Sequence, residues 1–530
     1  MTTRPDRIPS AAVDHFAAGL PRPDTFWDLV VRRAELSGER TMLVDEHGRH
    51  LTFAGFRDRA ERVAAALGAH GVGPGSTVVW QLPTRIGSAL VIAALARLGA
   101  VQAALIPQYG VREATAAITA ASPDLLIVPD VWHGRDYGAE AAALPGRLRV
   151  LVVGDEVPEA DPAGVLPPEP SAGTEPRWIH FTSGSSGIPK GVLNTEASLL
   201  AAAHGFTLHG RLGERPDEFG CLAVPVAHVG GVTYLMTLLL GGFPALFLEA
   251  FNPRAAAGHF RRHRVTFTGG STSFYTALVD EQRRSGADRL FPDLRLLKGG
   301  GAPCPPSVFR AVRDELGAVL AHDYGMTEVP MICVASPHAT EEQLAHTDGA
   351  PIPGVTVRIV DGERLLPTDV EGEIQVRGAS VCAGYLDPAH TAEAFTTDGW
   401  FRTGDRGRVR ADGLVEVTGR SKDLIIRKGE KIAPVELETL LVNHPAVGEA
   451  AVIGLPDEVR GELVCAVVTL RQEVVRPALA DLVGHLRAAG VMTQKLPERL
   501  EIVDELPRTG LGKVHKAALY RRFTASATGA

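Results

Sequence analysis

Along residues 26–36 and 56–67 the apolar side chains recur every three to four positions, the spacing that gives a helix one buried face. Residues 77–82 follow as a short strand-like run, 86–98 as an apolar stretch long enough for a buried helix, and 101–106 as a second strand. Strand-like segments at 125–128 and 150–153 continue the alternation, which predicts helices layered on a parallel sheet. Six prolines between Val157 and Pro176 interrupt it and predict a surface connection. The pattern resumes from 197 to about 323. From 355 it changes to short alternating strands such as 373–376, and Asp412-Gly413, between 406–409 and 415–417, marks a hairpin turn. The expected fold class is therefore α/β. A large N-terminal domain of layered α/β subdomains plus a β-rich subdomain is expected over residues 1–419, followed by a small α+β C-terminal domain over 420–530.

One apolar segment has two readings. Residues 229–248 run twenty positions without a charge, enough to span a bilayer. Four glycines, a proline and the lack of flanking basic clusters favour instead a buried helix, a turn at Gly241-Gly242 and a strand.

With 530 residues, 45% of them hydrophobic, the chain is large enough for several cores. A formal net charge of −8 gives no support for a polyanion-binding surface, so nucleic acid is not an expected partner. Cys221, Cys304, Cys333, Cys382 and Cys465 are scattered without a CxxC pair, which predicts neither a disulfide framework nor a thiolate zinc site. The N-terminal residues lack the apolar stretch of a signal peptide, and a cytoplasmic monomer or homodimer without a membrane span is expected. Arginines outnumber lysines by forty-six to eight. Where lysine persists, at 190, 298, 422, 428, 431, 495, 513 and 516, chemistry that needs a compact primary ammonium becomes the stronger reading.

The densest chemistry lies in Phe181-Thr182-Ser183-Gly184-Ser185-Ser186-Gly187-Ile188-Pro189-Lys190-Gly191. Small side chains let backbone N–H groups approach phosphate oxygens, four hydroxyls add donors, and Lys190 adds charge. The preceding apolar strand and Pro189-Lys190 distinguish it from a flexible linker. It is not a Walker loop, because Pro189 replaces the glycine before the lysine and Gly191 replaces the magnesium-binding hydroxyl. Gly510-Leu511-Gly512-Lys513 fails the same test, and the stretch from Gly71 to Ser76 lacks the last glycine of a dinucleotide fingerprint.

The segment from Thr182 to Gly191 resembles the signature loop of the adenylate-forming enzymes, the superfamily of acyl-CoA synthetases, peptide-synthetase adenylation domains and luciferases. Further signatures follow in order: Lys298-Gly299-Gly300-Gly301-Ala302-Pro303, Tyr324-Gly325-Met326-Thr327-Glu328, Thr403-Gly404-Asp405, Gly419-Arg420-Ser421-Lys422-Asp423 with Gly429, and Pro507-Arg508-Thr509-Gly510-Leu511-Gly512-Lys513. The resemblance implies attack of a carboxylate on the α-phosphate of MgATP, giving acyl-adenylate and pyrophosphate, then transfer of the acyl group to a thiol. It assigns Thr182, Ser183, Gly184, Ser185, Ser186, Gly187 and Lys190 to the β- and γ-phosphates. Glu328, with Thr182, would ligate Mg²⁺, a cation that prefers oxygen donors. Tyr324 would stack on adenine, with Gly300, Gly301, Ala302, Pro303, Asp323, Gly325, Met326 and Thr327 around the nucleotide. Asp405 would accept from the ribose hydroxyls beside Arg420. Lys513 would be the catalytic cation at the reacting carboxylate and α-phosphate. By the same resemblance Lys422 takes the hinge position, which makes the small C-terminal domain mobile, and CoA is the expected acceptor.

On the acyl side, His228 resembles the family's gate beside the carboxylate, and Val229, Gly230, Ser273, Phe274, Lys298, Gly299 and Gly325 are expected to line the pocket. Val229 stands where siderophore aryl-acid activators use asparagine to read a 2-hydroxyl, which disfavours salicylate-type acids. Two departures bear on the substrate: Ser271-Thr272-Ser273 before Phe274, and Lys298 before the glycine run. The Lys298 ammonium either meets a second polar group of the substrate or pairs within the protein. The expected function is an ATP-dependent acid-thiol ligase for a small or medium acid, aromatic or alicyclic acids being favoured. A discrete carrier protein as acceptor and a relative that adenylates nitrite for diazotisation of an aromatic amine remain as alternatives. A non-catalytic nucleotide-binding protein would be expected to lose Glu328, Asp405 or Lys513, and all three are present.

Overall fold

The computed structural model describes residues 23–144, 148–182, 189–420, 423–427, 430–457, 461–472, 474–491, 493–509 and 512–525. The chain separates into two compact units. The first comprises Met1–Gly301, Val308–Val357 and Val376–Phe401, and the second Ala302–Ser307, Arg358–Gln375 and Arg402–Ala530.

In the first unit, a seven-stranded sheet carries Pro176–Thr182, Val101–Ala104, Thr77–Trp80, Leu125–Pro129 and Val150–Val153 side by side and parallel. Lys190–Thr195 and Gly384–Tyr385 extend its edge as antiparallel strands. The helices Phe26–Ser37, Phe53–Ala69 and Ile86–Arg97 form where their spacing predicts. A nine-stranded sheet has a parallel centre of Val319–Met326, Leu296–Gly300, Phe267–Thr268, Gly220–Leu222, Ala245–Phe247 and Thr41–Asp45. Val329–Val334 folds back antiparallel on Val319–Met326.

The uncharged segment is the helix Val229–Gly241, a left-handed Gly242 at φ 66°, and the strand Ala245–Phe247. The helix is apolar on all sides because it packs against both Phe26–Ser37 and Glu196–His209. Its last carbonyls would be left without partners, and the buried Arg33 supplies them: Nε donates to Leu239 O at 2.5 Å and Nη2 to Leu240 O at 2.6 Å. Burial lowers this guanidinium to about 10. Among the described residues no helix is long and apolar enough to cross a membrane.

The short strands Val355–Asp361, Arg364–Leu365, Gly372–Gly378, Phe401–Val409 and Val415–Arg420 form one five-stranded sheet, with Gly413 at φ 81° in the hairpin turn. Residues 358–375 and 402–420 group with the C-terminal segment, so the compact units do not divide at 419/420. The C-terminal segment is α+β, as expected. Val447–Asp457 pairs with Gly461–Leu470, and residues alternate between the two faces of the pair. Val452, Val464 and Ala466 pack under the helices Pro434–Leu441 and Leu479–Ala488, while Ile453, Cys465 and Val467 pack with Leu519 and Phe523 of Lys516–Ala525.

Candidate active site

Pro176–Thr182 and Lys190–Thr195 form a hairpin in which Lys190 lies opposite Thr182 and Val192 opposite His180. The loop residues Ser183, Gly184, Ser185, Ser186 and Gly187 lie outside the described residues, as do Lys422 and Gly429. The hairpin ends in a capping box: Ser198 N donates to Thr195 Oγ1 at 3.0 Å and Thr195 N to Ser198 Oγ at 3.1 Å, so the strand turns directly into the helix Glu196–His209. Tyr109 donates its hydroxyl to Phe181 O at 3.0 Å, and burial pushes this phenol up to about 12.

Inside the hairpin, His180 Nδ1 lies 2.9 Å from Asn194 Oδ1, and Asn194 Nδ2 donates to Thr327 O at 3.2 Å. The carbonyl at Thr327 requires the amide group of Asn194 to point at it, so His180 Nδ1 carries a proton. Burial depresses His180 to about 4, leaving a neutral ring.

Thr327 and Glu328 make the turn between Val319–Met326 and Val329–Val334. Tyr385 donates its hydroxyl to Glu328 Oε1 at 2.8 Å, and Cys382 N donates to Glu328 O at 2.7 Å. Burial, reinforced by the Glu328 carboxylate, raises the Tyr385 phenol above its ordinary value. The Lys190 ammonium lies 6.0 Å from the centroid of the same ring. Lys190 and Glu328, remote in sequence, therefore share one neighbour. Tyr385 escaped the sequence reading because Gly384-Tyr385-Leu386 has only the ordinary look of a short strand.

The glycine run follows from close backbone approach. Gly300 lies opposite Asp323 on parallel strands, and a Cβ there would stand 1.8 Å from Asp323 O. Gly299 has φ 150°, and its Cβ would meet Gly270 O at 2.5 Å. Gly325 is equally tight, 2.3 Å from Pro330 O, between the buried Tyr324 and Met326, which pairs with Val329. Gly301 is exposed, and Ala302 and Pro303 continue the chain from it.

Lys298 and Asp323 pair with each other inside the protein. The Lys298 ammonium donates to Asp323 Oδ1 at 2.8 Å and to Ala335 O at 2.7 Å, and lies 5.2 Å from the Phe206 ring centroid. Asp323 Oδ1 also accepts from Ala335 N at 2.9 Å. Burial lowers Lys298 and raises Asp323, while their mutual attraction opposes both shifts. The ammonium is committed to the protein interior, the second of the two readings its sequence position allowed, and Asp323 Oδ1 is shared between Lys298 and Ala335.

On the acyl side, His228 is the N-cap of the helix Val229–Gly241, its Nδ1 accepting from Gly230 N at 3.1 Å. Gly231 is required by packing, since a Cβ would lie 2.3 Å from Pro225 O. Val229 is buried. Ser271 Oγ and Ser273 Oγ are 2.9 Å apart at the start of the helix Thr272–Ser285, and Phe274 packs against Phe251 with centroids 4.0 Å apart and ring planes tilted by 35°.

In the second unit, Asp405 and Arg420 are register partners, and Arg420 Nε lies 3.0 Å from Asp405 Oδ1. Asp405 is buried, and its N–H donates to Thr403 Oγ1 at 3.0 Å. The exposed Lys513 closes a backbone turn, its carbonyl accepting from Thr509 N at 2.8 Å. Arg508 braces this turn through Gly512 O at 2.6 Å and an ion pair with Glu449.

The fold and these motifs have the organisation of an adenylate-forming enzyme. The family model described as AMP-binding enzyme matches residues 30–386, and that of the AMP-binding enzyme C-terminal domain matches 436–513. The chain belongs to this family and is an AMP-forming, acyl-CoA synthetase-like ligase. It is 35% identical over 501 residues to feruloyl-CoA synthase of Amycolatopsis sp, covering 93% of this chain and 98% of that protein. It is also 35% identical to the salicyl-AMP ligase / salicyl-S-ArCP synthetase of Mycobacterium tuberculosis, covering 89% and 85%. The solved structure of o-succinylbenzoate coenzyme A synthetase from Bacillus subtilis, in complex with ATP and magnesium ion, aligns with a TM-score of 0.80 at 25% identity, covering 94% and 99%.

The donor set fits ATP and Mg²⁺: a half-buried carboxylate at Glu328, a hydroxyl at Thr182 and an ammonium at Lys190, with glycine backbone where a side chain would not fit. Glu46, His47 and Glu249 also bring ligating atoms within 4.8 Å of one another, but Glu249 is already paired with Arg85 at 2.5 Å.

Proposed function

We propose that this ligase forms an acyl-adenylate from a small or medium carboxylic acid, aromatic acids being favoured, and passes the acyl group to CoA with release of AMP and pyrophosphate. The observation that carries this reading is the meeting of Lys190 and Glu328 on Tyr385, which gathers a cation suited to polyphosphate and an anion suited to its metal.

Mg²⁺, when bound, neutralises phosphate charge and polarises the phosphoryl oxygens. Thr182 and Lys190 hold the departing phosphates, and Glu328 with Thr182 serves the metal. Tyr324 receives the adenine and Asp405, steadied by Arg420, accepts from the ribose hydroxyls. Lys513 adds positive charge where negative charge grows between the carboxylate and the α-phosphate, and such a fixed charge needs no reorganisation during reaction. In this reading the chain divides functionally at 419/420, with Lys422 as the hinge. His228, held by its bond to Gly230, fixes its ring beside the acid, and the tilted Phe251–Phe274 pair offers an aromatic surface for the acyl group. Val229 has no hydrogen-bonding group for a 2-hydroxyl, which separates this chain from salicylate-type activators.

Pyrophosphate release across aromatic, alicyclic and fatty acids and nitrite, with and without CoA or a carrier protein, tests the reading. The expected result is acyl-CoA formation from an aromatic or medium acid. Turnover of nitrite alone, unaffected by CoA, would reject the acid-thiol ligase; ATP binding without turnover of any acid would reject this activity altogether.

A further inference from the structure

The segment 382–386 grips Glu328 at two points, by Cys382 N on its carbonyl at 2.7 Å and by the Tyr385 hydroxyl on Oε1 at 2.8 Å. The same segment is laced to the strand that carries Lys190. Ala383 N donates to Leu193 O at 2.7 Å, Leu386 N donates to Gly191 O at 2.8 Å, and Tyr385 lies opposite Val192. Across an antiparallel pair, diagonal neighbours on one face come within reach of long side chains. Lys190 is two residues from Val192, and its ammonium accordingly stands 6.0 Å from the Tyr385 ring centroid.

Tyr385 is itself held from behind. Its N–H donates to Thr391 Oγ1 at 2.9 Å and its ring meets His390 edge-on at 6.0 Å. Gly384 enters this turn at φ 136°, and a Cβ there would lie 2.8 Å from Thr391 Oγ1, so the approach to Tyr385 requires glycine. A carboxylate is planar, so fixing Oε1 also sets the direction of Oε2.

We propose that Tyr385 is a positioning residue for metal–nucleotide binding: its hydroxyl orients the Glu328 carboxylate for the divalent cation that accompanies ATP, while its ring seats the Lys190 ammonium at a set distance from that cation. The inference rests on the reading of Glu328 as a metal ligand. Groups that orient a metal ligand by hydrogen bonding are typically worth roughly 10- to 100-fold in metal affinity.

Tyr385→Phe in the full-length protein removes the hydroxyl and keeps the ring over Lys190. The Mg²⁺ concentration for half-maximal pyrophosphate release is expected to rise roughly tenfold, with a matching weakening of Mn²⁺–ATP binding by calorimetry. Melting temperature, and thiol transfer from a synthetic acyl-adenylate, are expected to stay at wild-type values. Glu328→Gln serves as the reference, and the double variant is expected to be no weaker in metal than Glu328→Gln alone, because the hydroxyl then has no carboxylate to orient. Wild-type Mg²⁺ dependence and Mn²⁺–ATP affinity in Tyr385→Phe would overturn the positioning role while leaving Glu328 as ligand. Equal loss of both half-reactions with a lowered melting temperature would overturn it in favour of a purely structural tyrosine. Wild-type metal dependence in Glu328→Gln would instead remove the underlying reading, and the Tyr385 role with it.

Discussion

Lys298 Nζ and Asp323 Oδ1 form an ion pair at 2.8 Å whose side chains are 0% and 2% exposed. The two residues sit on the adjacent strands Leu296–Gly300 and Val319–Met326, which also carry Gly300 and Tyr324. The pair is therefore part of the scaffold beneath the glycine run.

Removing one partner of such a pair strands a charge where water cannot reach it, at a cost of about 3–5 kcal/mol. Lys298→Met is expected to lower the free energy of unfolding by this amount, and Lys298→Met with Asp323→Leu to recover much of it. Denaturant titration of both variants checks the prediction; a single variant as stable as wild type would show that the pair is not needed for the scaffold.

Gly300→Ala puts a methyl group where 1.8 Å separates the Cβ position from Asp323 O. No flexible side chain is there to yield, so the two strands must part. The expected outcome is weaker ATP binding together with a lower melting temperature. Gly258→Ala, inside the helix Pro253–His263 with nothing within 4 Å of the added Cβ, is the control and is expected to keep wild-type ATP binding with a melting temperature no lower than wild type.

His180 gives the stability a defined pH dependence. Its value is 6.5 when unfolded and about 4 when folded, so between these limits the unfolded chain takes up a proton that the folded protein refuses. This contribution is at its most favourable above pH 6.5, falls as the pH drops to about 4, and changes no further below that. The stability advantage of wild type over His180→Gln should narrow across this window, measured by melting at pH 7.5, 5.5 and 4.5. Taking the difference cancels the opposite trend of the buried Glu196, whose carboxyl burial raises to about 7.

Lys513→Ala is expected to reduce acid-dependent pyrophosphate release by roughly 10²- to 10³-fold, the usual cost of deleting one preorganised electrostatic donor. Transfer from a synthetic acyl-adenylate to thiol should persist, since the α-phosphate has by then been attacked. Wild-type adenylation by this variant would reject the catalytic assignment.

Much of the fold was legible from spacing, because burial on one face of a helix or strand imposes a period on the residues within it. The helix-turn-strand of 229–248 could be separated from a membrane span by its glycines, and Gly242 does adopt the left-handed conformation that ends the helix. Gly231 is a packing glycine that spacing does not reveal: a Cβ there would lie 2.3 Å from Pro225 O, a carbonyl brought close only by the fold. Lys298 was open for a related reason: rarity marks an ammonium as needed without saying what it pairs with, and the structure pairs it with Asp323.

The sequence alone determined the order of the motifs and the α/β layering, because glycine-rich turns and hydrophobic periods are local properties of the chain, and the adenylate-forming class followed from the resemblance of those motifs to a known family. Only tertiary structure decided that Asn194 reaches Thr327, that Tyr385 grips Glu328 beside Lys190, and that Lys298 spends its charge on Asp323. Those pairings depend on strand register between distant segments and on the removal of particular charges from water, and neither is encoded in the spacing of neighbouring residues.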